Sequence, residues 1–210
     1  MTSFGDMTQR EFSDALASSK PTPGGGSAAA VALSQSAALT VMVSELTIGR
    51  EKWSDGWVAA ENAKNVASPL IEHGYILADK DSNAFIEVMN SFKLPKETLD
   101  EQNHRKNAID NATLEASNVP LETANAALEL LLTHEKLATY GNANAVTDVA
   151  VASLLASAAC KGALFNVEIN ANSLPNEIST NLLAVVKDIR LKASQLSKSV
   201  IKAVFDRLEN

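Results

Sequence analysis

Two segments of this chain are almost free of charge and are built largely from small residues. Residues 28–43 read AAAVALSQSAALTVMV, and residues 144–166 contain the run DVAVASLLASAACKGALFN. A helix that is apolar or small on every side has no face to turn to water, so both segments are predicted to be central helices packed closely against their neighbours. The first is also too short and too polar for the roughly 20 strongly apolar residues of a membrane span, so we expect a buried helix in a soluble protein.

The rest of the sequence favours further helices and no strand. Hydrophobic residues make up 46% of the chain and aromatic residues only 5%, with alanine supplying much of the apolar content, which suits helices better than sheets. The fold class predicted is all-α: one helical domain over residues 1–210, with the small-residue-rich helices at its centre. The predicted helices cover about residues 8–19, 27–49, 54–92, 95–118, 120–140, 144–166 or beyond, and 176–208.

Prolines, glycines and capping residues set these boundaries. Ser27 is predicted to cap the second helix and Gly49 to end it. Pro69 is expected to kink or break the third helix, while Pro95 and Pro120 each occupy a position that typically opens a new one. The polar-faced first, fourth and last helices are expected to wrap the centre. An apolar stripe on the last helix could be core or could meet a second copy of the chain.

Charge and cysteine content exclude several classes of partner. Acidic residues outnumber basic ones 25 to 18, a net charge of −7, so we expect no broad cationic surface and no nucleic-acid partner. The single cysteine, Cys160, and the lack of a secretory signal fit the reducing cytoplasm. His73, His104 and His134 are about thirty residues apart without a metal-binding spacing, so no metal site is predicted.

Asp81 is the candidate catalytic residue that the periodicity indicates. On a helical wheel it falls in the middle of an apolar stripe, whereas Asp79 projects elsewhere and is expected to be solvated. A carboxylate among side chains expected inside the protein has either a structural partner or a perturbed pKa of the kind that acid–base catalysts use. The apolar members of the stripe are Leu70, Ile71, Leu77, Ala78, Phe85, Val88, Met89 and Phe92.

Three glycines before the second helix form a candidate binding segment. Gly24, Gly25 and Gly26, followed by Ser27, leave backbone N–H groups accessible at a helix N-terminus, where a planar or anionic ligand could approach closely. The alternative is a tight turn that only lets two helices pack.

Further polar groups share helix faces with small residues. Asp148 and Asn166 align on the sixth helix with Asn170, and Asn142 and Asn144 lie just upstream. They could bind a ligand, or they could cap helices and bond between them.

Charged residues near helix ends are the remaining candidates. Glu45 aligns with Ser27 on the second helix and could bind or reach solvent. Arg50, Lys52 and Arg105 could meet an anionic ligand or form solvated helix faces.

Five ordered segments of the chain resemble the cyclodeaminase/cyclohydrolase family from about residue 20 to 175. They are TPGGGSAAAVAL, MVSELTIGREKW, DKDSNAFIEVMNSFKLPKE, EASNVPLETA and YGNANAVTDVAVASLLASAACKGALFNVEINANSL. The chain departs from the family pattern at Glu45 and Arg50, where Asn and Lys are expected, and at Trp53, near where Tyr is usual.

The resemblance implies an all-helical homodimer that holds a tetrahydrofolate derivative, possibly polyglutamylated, in a cleft. It also implies a catalytic Asp within DSNAF, at Asp81, with Asp79 as the alternative. The expected reaction is hydration of methenyltetrahydrofolate, with no cofactor beyond the folate carrier. The alternatives are formimidoyltetrahydrofolate cyclodeamination, fed by a separate formiminotransferase, and a folate-binding dimer without activity. On this reading the triple glycine lets folate lie against the start of the second helix.

Overall fold

The architecture is a bundle of helices, seen in a computed structural model that describes residues 3–209. No strand occurs in that range, which confirms the all-α prediction. The helices are α1 Gln9–Leu16, α2 Gly25–Thr47, α3 Trp57–Ser91, α4 Leu99–Tyr140, α5 Val146–Ala171 and α6 Asn176–Leu208. Short 3-10 turns occupy Phe4–Asp6, Glu51–Gly56 and Ala143–Ala145.

The largest error in the predicted helix boundaries concerns α4. The sequence predicted separate helices on either side of Pro120, but one helix runs through it from Leu99 to Tyr140. Its start is also later than Pro95, because Thr98 and Glu101 form a reciprocal capping box. Helix α3 likewise continues through Pro69.

The start of α2 differs from the prediction as well. Gly24 is the N-cap and Ser27 lies inside the first turn, fully buried, so the prediction that Ser27 caps this helix is wrong. The predicted stop is confirmed, since Gly49 follows the helix with a φ of 74°, a conformation that favours glycine.

Four helices form a ring around the main core. Helix α2 packs on α3 and α5, and α4 closes the ring by packing on α3 and α5, while α6 covers α4 and α5. Within the predicted fourth helix, residues 95–118, only Thr113, Ala116 and Ser117 are buried, so this part of α4 lies mostly at the surface, as expected for a helix that wraps the centre. On α6 the stripe is mainly core, because Val186, Ile189, Val200 and Val204 are buried.

Small residues let the central helices approach one another. A Cβ at Gly74 of α3 would lie 2.7 Å from the carbonyl oxygen of Ala30 on α2, so only glycine fits that crossing. Hydroxyl groups of α2 bridge to backbone carbonyls, Ser34 Oγ to Ile71 at 2.7 Å and Ser36 Oγ to Ala152 at 2.7 Å. These bonds satisfy the polar groups of a helix that is otherwise buried.

Helices α2 and α5 are long and apolar enough to cross a membrane by length and composition alone. In an apolar 18-residue window of each helix, 56% of the residues are buried inside the bundle for α2 and 50% for the helix over 143–171. The buried residues match those of core helices, and the other residues of both helices are half-buried or exposed in the single chain.

His134 lies in the core between α4 and α2. It is fully buried, and its Nε2 atom is 2.8 Å from Thr40 Oγ1. Burial lowers the pKa of His134 to about 4, so the imidazole is neutral at pH 7 and serves packing.

Candidate functional site

A cleft opens where the start of α2, the middle of α3 and the end of α5 meet α4. Its volume is about 330 Å³, and its walls include Gly24, Gly25, Gly26, Asp81 and Asn166. These five residues come from three separate predicted motifs. The fold therefore brings together the triple glycine, the candidate catalytic carboxylate and one of the candidate asparagines.

Asp81 is held against the first turn of α2. Its Oδ2 atom accepts a hydrogen bond of 3.0 Å from Ser27 Oγ, which also lies 3.0 Å from Ser82 Oγ. A Cβ built on Gly26 would lie 2.2 Å from Asp81 Oδ1. The third glycine is thus required because a carboxylate occupies the place of its side chain.

The glycines before it have a different environment. No atom lies within 4 Å of a Cβ built on Gly24 or Gly25, so both present open backbone at the cleft. Gly26 is therefore needed for close packing between helices, as in the alternative interpretation, and among the three glycines a ligand has room only at Gly24 and Gly25.

The surroundings of Asp81 act on its protonation in opposite directions. Burial raises the pKa of this carboxyl group above its usual value, and hydrogen bonds from the Ser27 hydroxyl and backbone oppose that increase. The N-terminal end of α2 also favours the ionised form. The result is a partly buried carboxylate whose proton affinity exceeds that of an exposed aspartate, which is the condition for a general base or acid.

Pro120 explains the position of a second cleft residue. Proline has no N–H, so the carbonyl of Ala116, four residues earlier, lacks its intrahelical donor. Asn170 of α5 supplies one, with Nδ2 donating to the Ala116 oxygen at 2.7 Å. Pro120 thereby fixes the side chain of Asn170 at the wall of the cleft, where Ala116 and Asn170 both lie.

We expect Pro120 and Asn170 to be energetically coupled. Asn170→Ala leaves the buried Ala116 carbonyl unsatisfied and should cost about 1–3 kcal/mol of unfolding free energy. In a Pro120→Ala background the restored N–H at position 120 can bond that carbonyl, so the same change should cost about 1 kcal/mol less. Urea unfolding of the two single variants and the double variant measures the difference. Strictly additive effects would contradict the coupling.

Asn166 and Asn170 together present acceptors to the cleft. Their Nδ2 atoms donate to the carbonyls of Gly162 at 3.0 Å and Ala116 at 2.7 Å. Within the described part of the chain neither Oδ1 atom has a hydrogen-bond partner. Both amide oxygens can accept from N–H groups of a planar ligand. The sequence aligns Asn170 with Asn166, but at Pro120, which orients Asn170, it predicts only the start of a helix.

Asp79 has a structural environment. Its carboxylate accepts hydrogen bonds from Ser3 Oγ and from the backbone N–H of Phe4, the latter at 2.9 Å. The expectation that Asp79 is solvated is wrong, because the side chain anchors the N-terminal segment to α3.

Six other predicted site residues lie near the opposite end of the bundle. Glu45 is 20 residues beyond Gly25 on α2, about 30 Å along the helix axis. It pairs with Lys64 at 2.7 Å. The remaining five, likewise outside the cleft of a single chain, are Arg50, Lys52, Asn142, Asn144 and Asp148.

Local contacts account for several members of this distant group. Asn142 is buried, donates to the Leu46 carbonyl at 2.9 Å and accepts from the backbone N–H of Asn144 at 3.0 Å, as in the capping alternative. Lys52 lies 4.7 Å from the centre of the Trp53 ring.

Arg105 lies at the far end of the α3–α4 pair. Its Nη2 donates to the carbonyl of Phe92 at 3.1 Å, and its guanidinium lies 5.5 Å from the centre of the Phe92 ring. It also lines a small hollow of its own, separate from the cleft of Asp81.

Nucleophile and metal chemistry receive no support from residue placement. Cys160 is fully buried, and burial raises the pKa of its thiol to about 11, so it packs as a core residue. Among residues 3–209 no three His, Cys, Asp or Glu side chains cluster closely enough to hold a metal ion.

Known proteins are similar to this chain in sequence and in fold. The sequence model of a family described as formiminotransferase-cyclodeaminase matches residues 8–187. The chain is 35% identical over 205 residues to a methenyltetrahydrofolate cyclohydrolase of Methylorubrum extorquens, covering 95% of this chain and 97% of that protein. It is 32% identical over 194 residues to the formimidoyltransferase-cyclodeaminase of Gallus gallus, but spans only 35% of that longer protein.

A solved structure has the same architecture. The formiminotetrahydrofolate cyclodeaminase of Thermotoga maritima matches with a TM-score of 0.86 at 27% sequence identity. The match covers 97% of this chain and 98% of that one.

Proposed function

The chain belongs to the formiminotransferase-cyclodeaminase family, and we propose that it is a methenyltetrahydrofolate cyclohydrolase. The reaction converts 5,10-methenyltetrahydrofolate and water into 10-formyltetrahydrofolate. The observation that carries the proposal is the Asp81 carboxylate, partly buried at the cleft and held by Ser27 against Gly26. The 35% identity to a cyclohydrolase over nearly the whole of both chains supports this choice of reaction.

The substrate is already electrophilic, so the enzyme has to supply a base and a positioned water. The methenyl carbon shares a positive charge with N5 and N10 of the folate. Ionised Asp81 takes one proton from water as the water oxygen bonds to that carbon. The carbon–N5 bond then breaks, the oxygen loses its remaining proton to solvent, and protonated Asp81 gives its proton to N5. One proton is released overall, and the carboxylate also stabilises the cationic carbon before the attack.

Cyclodeamination is the second candidate, and the structural similarity to the Thermotoga maritima cyclodeaminase favours it. There N10 attacks the formimino carbon carried on N5 and its N–H proton passes to the imino nitrogen; Asp81 in its acid form then gives that nitrogen a second proton, and the carbon–nitrogen bond breaks to release ammonia and leave the methenyl cation. A separate formiminotransferase would then have to supply the substrate. Both reactions use one carboxylate beside one cationic carbon.

Two assays on the wild-type chain separate these activities. Loss of methenyltetrahydrofolate absorbance should exceed the uncatalysed rate, and formiminotetrahydrofolate should release no ammonia above the enzyme-free blank. Ammonia release at a comparable rate would favour the cyclodeaminase. A chain that binds tetrahydrofolate in calorimetry yet turns over neither substrate would be the inactive folate-binding dimer. The departures at Glu45 and Arg50 lie outside the cleft and give that alternative little support.

The pH dependence of hydration should respond to Ser27. The base must be ionised, so kcat/KM falls as pH falls through the pKa of Asp81, which burial raises. Ser27→Ala removes a hydrogen bond that lowers this pKa, so the acid limb of the pH profile should move to higher pH. Ser82→Ala, one bond further from the carboxylate, should move it less. An unchanged limb in Ser27→Ala would argue against Asp81 as the base.

A homodimer, as the resemblance implies, belongs to the same proposal. The outer faces of α2 and α5 lie side by side and carry exposed apolar side chains, Phe165 and Ile169 at 65% and 67% among them. A second copy covering this face would remove it from water. Sedimentation equilibrium should give twice the mass of the 22.2 kDa chain, and a monomer at micromolar concentration would contradict the dimer.

The proposed chemistry needs no cofactor besides the folate that carries the carbon. We propose the cytoplasm as its location, because the unpaired Cys160 suits a reducing compartment.

A further inference from the structure

An exposed apolar stripe leads away from Asp81 along α3. The stripe consists of Phe85, Met89 and Phe92, which follow Asp81 at helical spacing. These residues are 45%, 41% and 54% exposed. The helical wheel placed all three in the interior, and for these three the prediction is wrong. From Asp81 to Phe92 the stripe runs 11 residues, about 16 Å along the helix. Phe85 itself belongs to the wall of the cleft.

A cationic hollow lies where this stripe ends. Its volume is about 270 Å³, and it is lined by Lys96, Gln102, Arg105, Lys106, Ile109 and Asp110. Three cations and one acid therefore surround it, in a chain whose net charge is −7. Arg105 joins the hollow to the stripe, because its guanidinium packs against the ring of Phe92 and donates twice to the Phe92 carbonyl.

Helix α4 connects the same two places. Ala116 lies in the wall of the cleft and Ile109 in the wall of the hollow. They are seven residues apart and so lie on the same face of the helix. Cleft, stripe and hollow thus follow one line between α3 and α4: a carboxylate, then an aromatic surface, then cations.

Tetrahydrofolate has complementary groups in the same order. The reacting carbon bridges N5 and N10, N10 carries the aminobenzoyl ring, and the ring carries glutamate with its carboxylates. We propose that the benzoyl-glutamate part of the substrate lies along Phe85, Met89 and Phe92 and that its carboxylates bind Arg105, Lys106 and Lys96. This inference rests on the proposed function, since the folate is oriented by its carbon at Asp81.

The other rim of the cleft is less suited to an anion. Arg190, the cation beside the end of α5, is engaged by Glu168 at 2.6 Å and lies against the ring of Phe165. Lys20, next to the cleft residue Pro21, is a single exposed cation. Lys20→Gln is therefore the matched control for a tail that would run in the opposite direction.

The test compares Arg105→Gln/Lys106→Gln with Lys20→Gln and wild type, on ligands with and without glutamate. For methenyltetrahydrofolate the double variant should raise KM about tenfold with kcat unchanged, because the contacts are remote from the reacting carbon. For methenyltetrahydropteroate, which lacks glutamate, its KM should equal that of wild type. For the triglutamate form the double variant should raise KM at least as much as for the monoglutamate, because the longer tail carries further carboxylates to the same cations.

Several results would overturn the proposal. They are an equal rise in KM for both ligands, no rise for either, or a rise with Lys20→Gln in place of the double variant. Calorimetry with tetrahydrofolate and tetrahydropteroate provides the same comparison without turnover. If wild type hydrolyses nothing, the proposed function fails, while the binding difference between these two ligands still decides where the tail lies.

Discussion

Asp81→Asn should lower kcat for methenyltetrahydrofolate hydration by about 10²–10⁴-fold, the usual contribution of a general base. The amide keeps the shape of the side chain and can still accept from Ser27, but it cannot take a proton from water. Because burial disfavours the charged form of Asp81, the variant should unfold at the same urea concentration as wild type or a higher one. Initial rates and urea unfolding on the same preparation measure both effects.

Asp79→Asn is the matched control for this change. It weakens the hydrogen bonds to Ser3 and Phe4, so it should cost about 1 kcal/mol of stability and leave kcat close to wild type. If Asp79→Asn lost activity while Asp81→Asn retained it, the catalytic assignment would pass to the alternative residue. Equal activity in wild type and Asp81→Asn would remove Asp81 from the mechanism.

Gly26→Ala should lower kcat nearly as much as Asp81→Asn does. The new methyl group would lie 2.2 Å from Asp81 Oδ1, so the carboxylate must leave its position beside Ser27. A misplacement of about 1 Å in a catalytic group can cost about 10²-fold in rate. Methenyltetrahydrofolate assays should show this loss mainly in kcat, because the substrate-binding wall is otherwise intact.

Gly162→Ala makes the same chemical change in a helix interior without touching Asp81. Its new Cβ would meet Ala29 at 3.4 Å, an ordinary contact, so activity should stay near wild type and stability should rise slightly. Full activity in Gly26→Ala would show that the carboxylate tolerates displacement, against the geometry proposed for the base.

Local signals predicted much of the fold because they act over one turn of helix. The stop at Gly49 and the bounds of α6 are as expected. The helix start predicted at Pro120 is wrong because a donor from another helix replaces the hydrogen bond that proline cannot make. Asn170 is 50 residues later in the sequence, and no local rule could supply that bond.

The candidate site was predictable to a similar extent. Periodicity and the resemblance both selected Asp81, and the triple glycine was recognised as a place of close approach. Which atom approaches Gly26 was not predictable, because the contact is between helices. A helical wheel also cannot distinguish a stripe that faces the core from one that faces a groove, so Phe85 and Phe92 were assigned to the interior.

The bond between Asn170 and the carbonyl freed by Pro120 has a consequence for redesign. The amide nitrogen of Asn170 donates to a main-chain carbonyl, and among residues 3–209 no other side chain makes a hydrogen bond to that amide. An asparagine introduced into another helical scaffold would therefore keep this orientation only if a proline were introduced with it, at the position that frees the carbonyl.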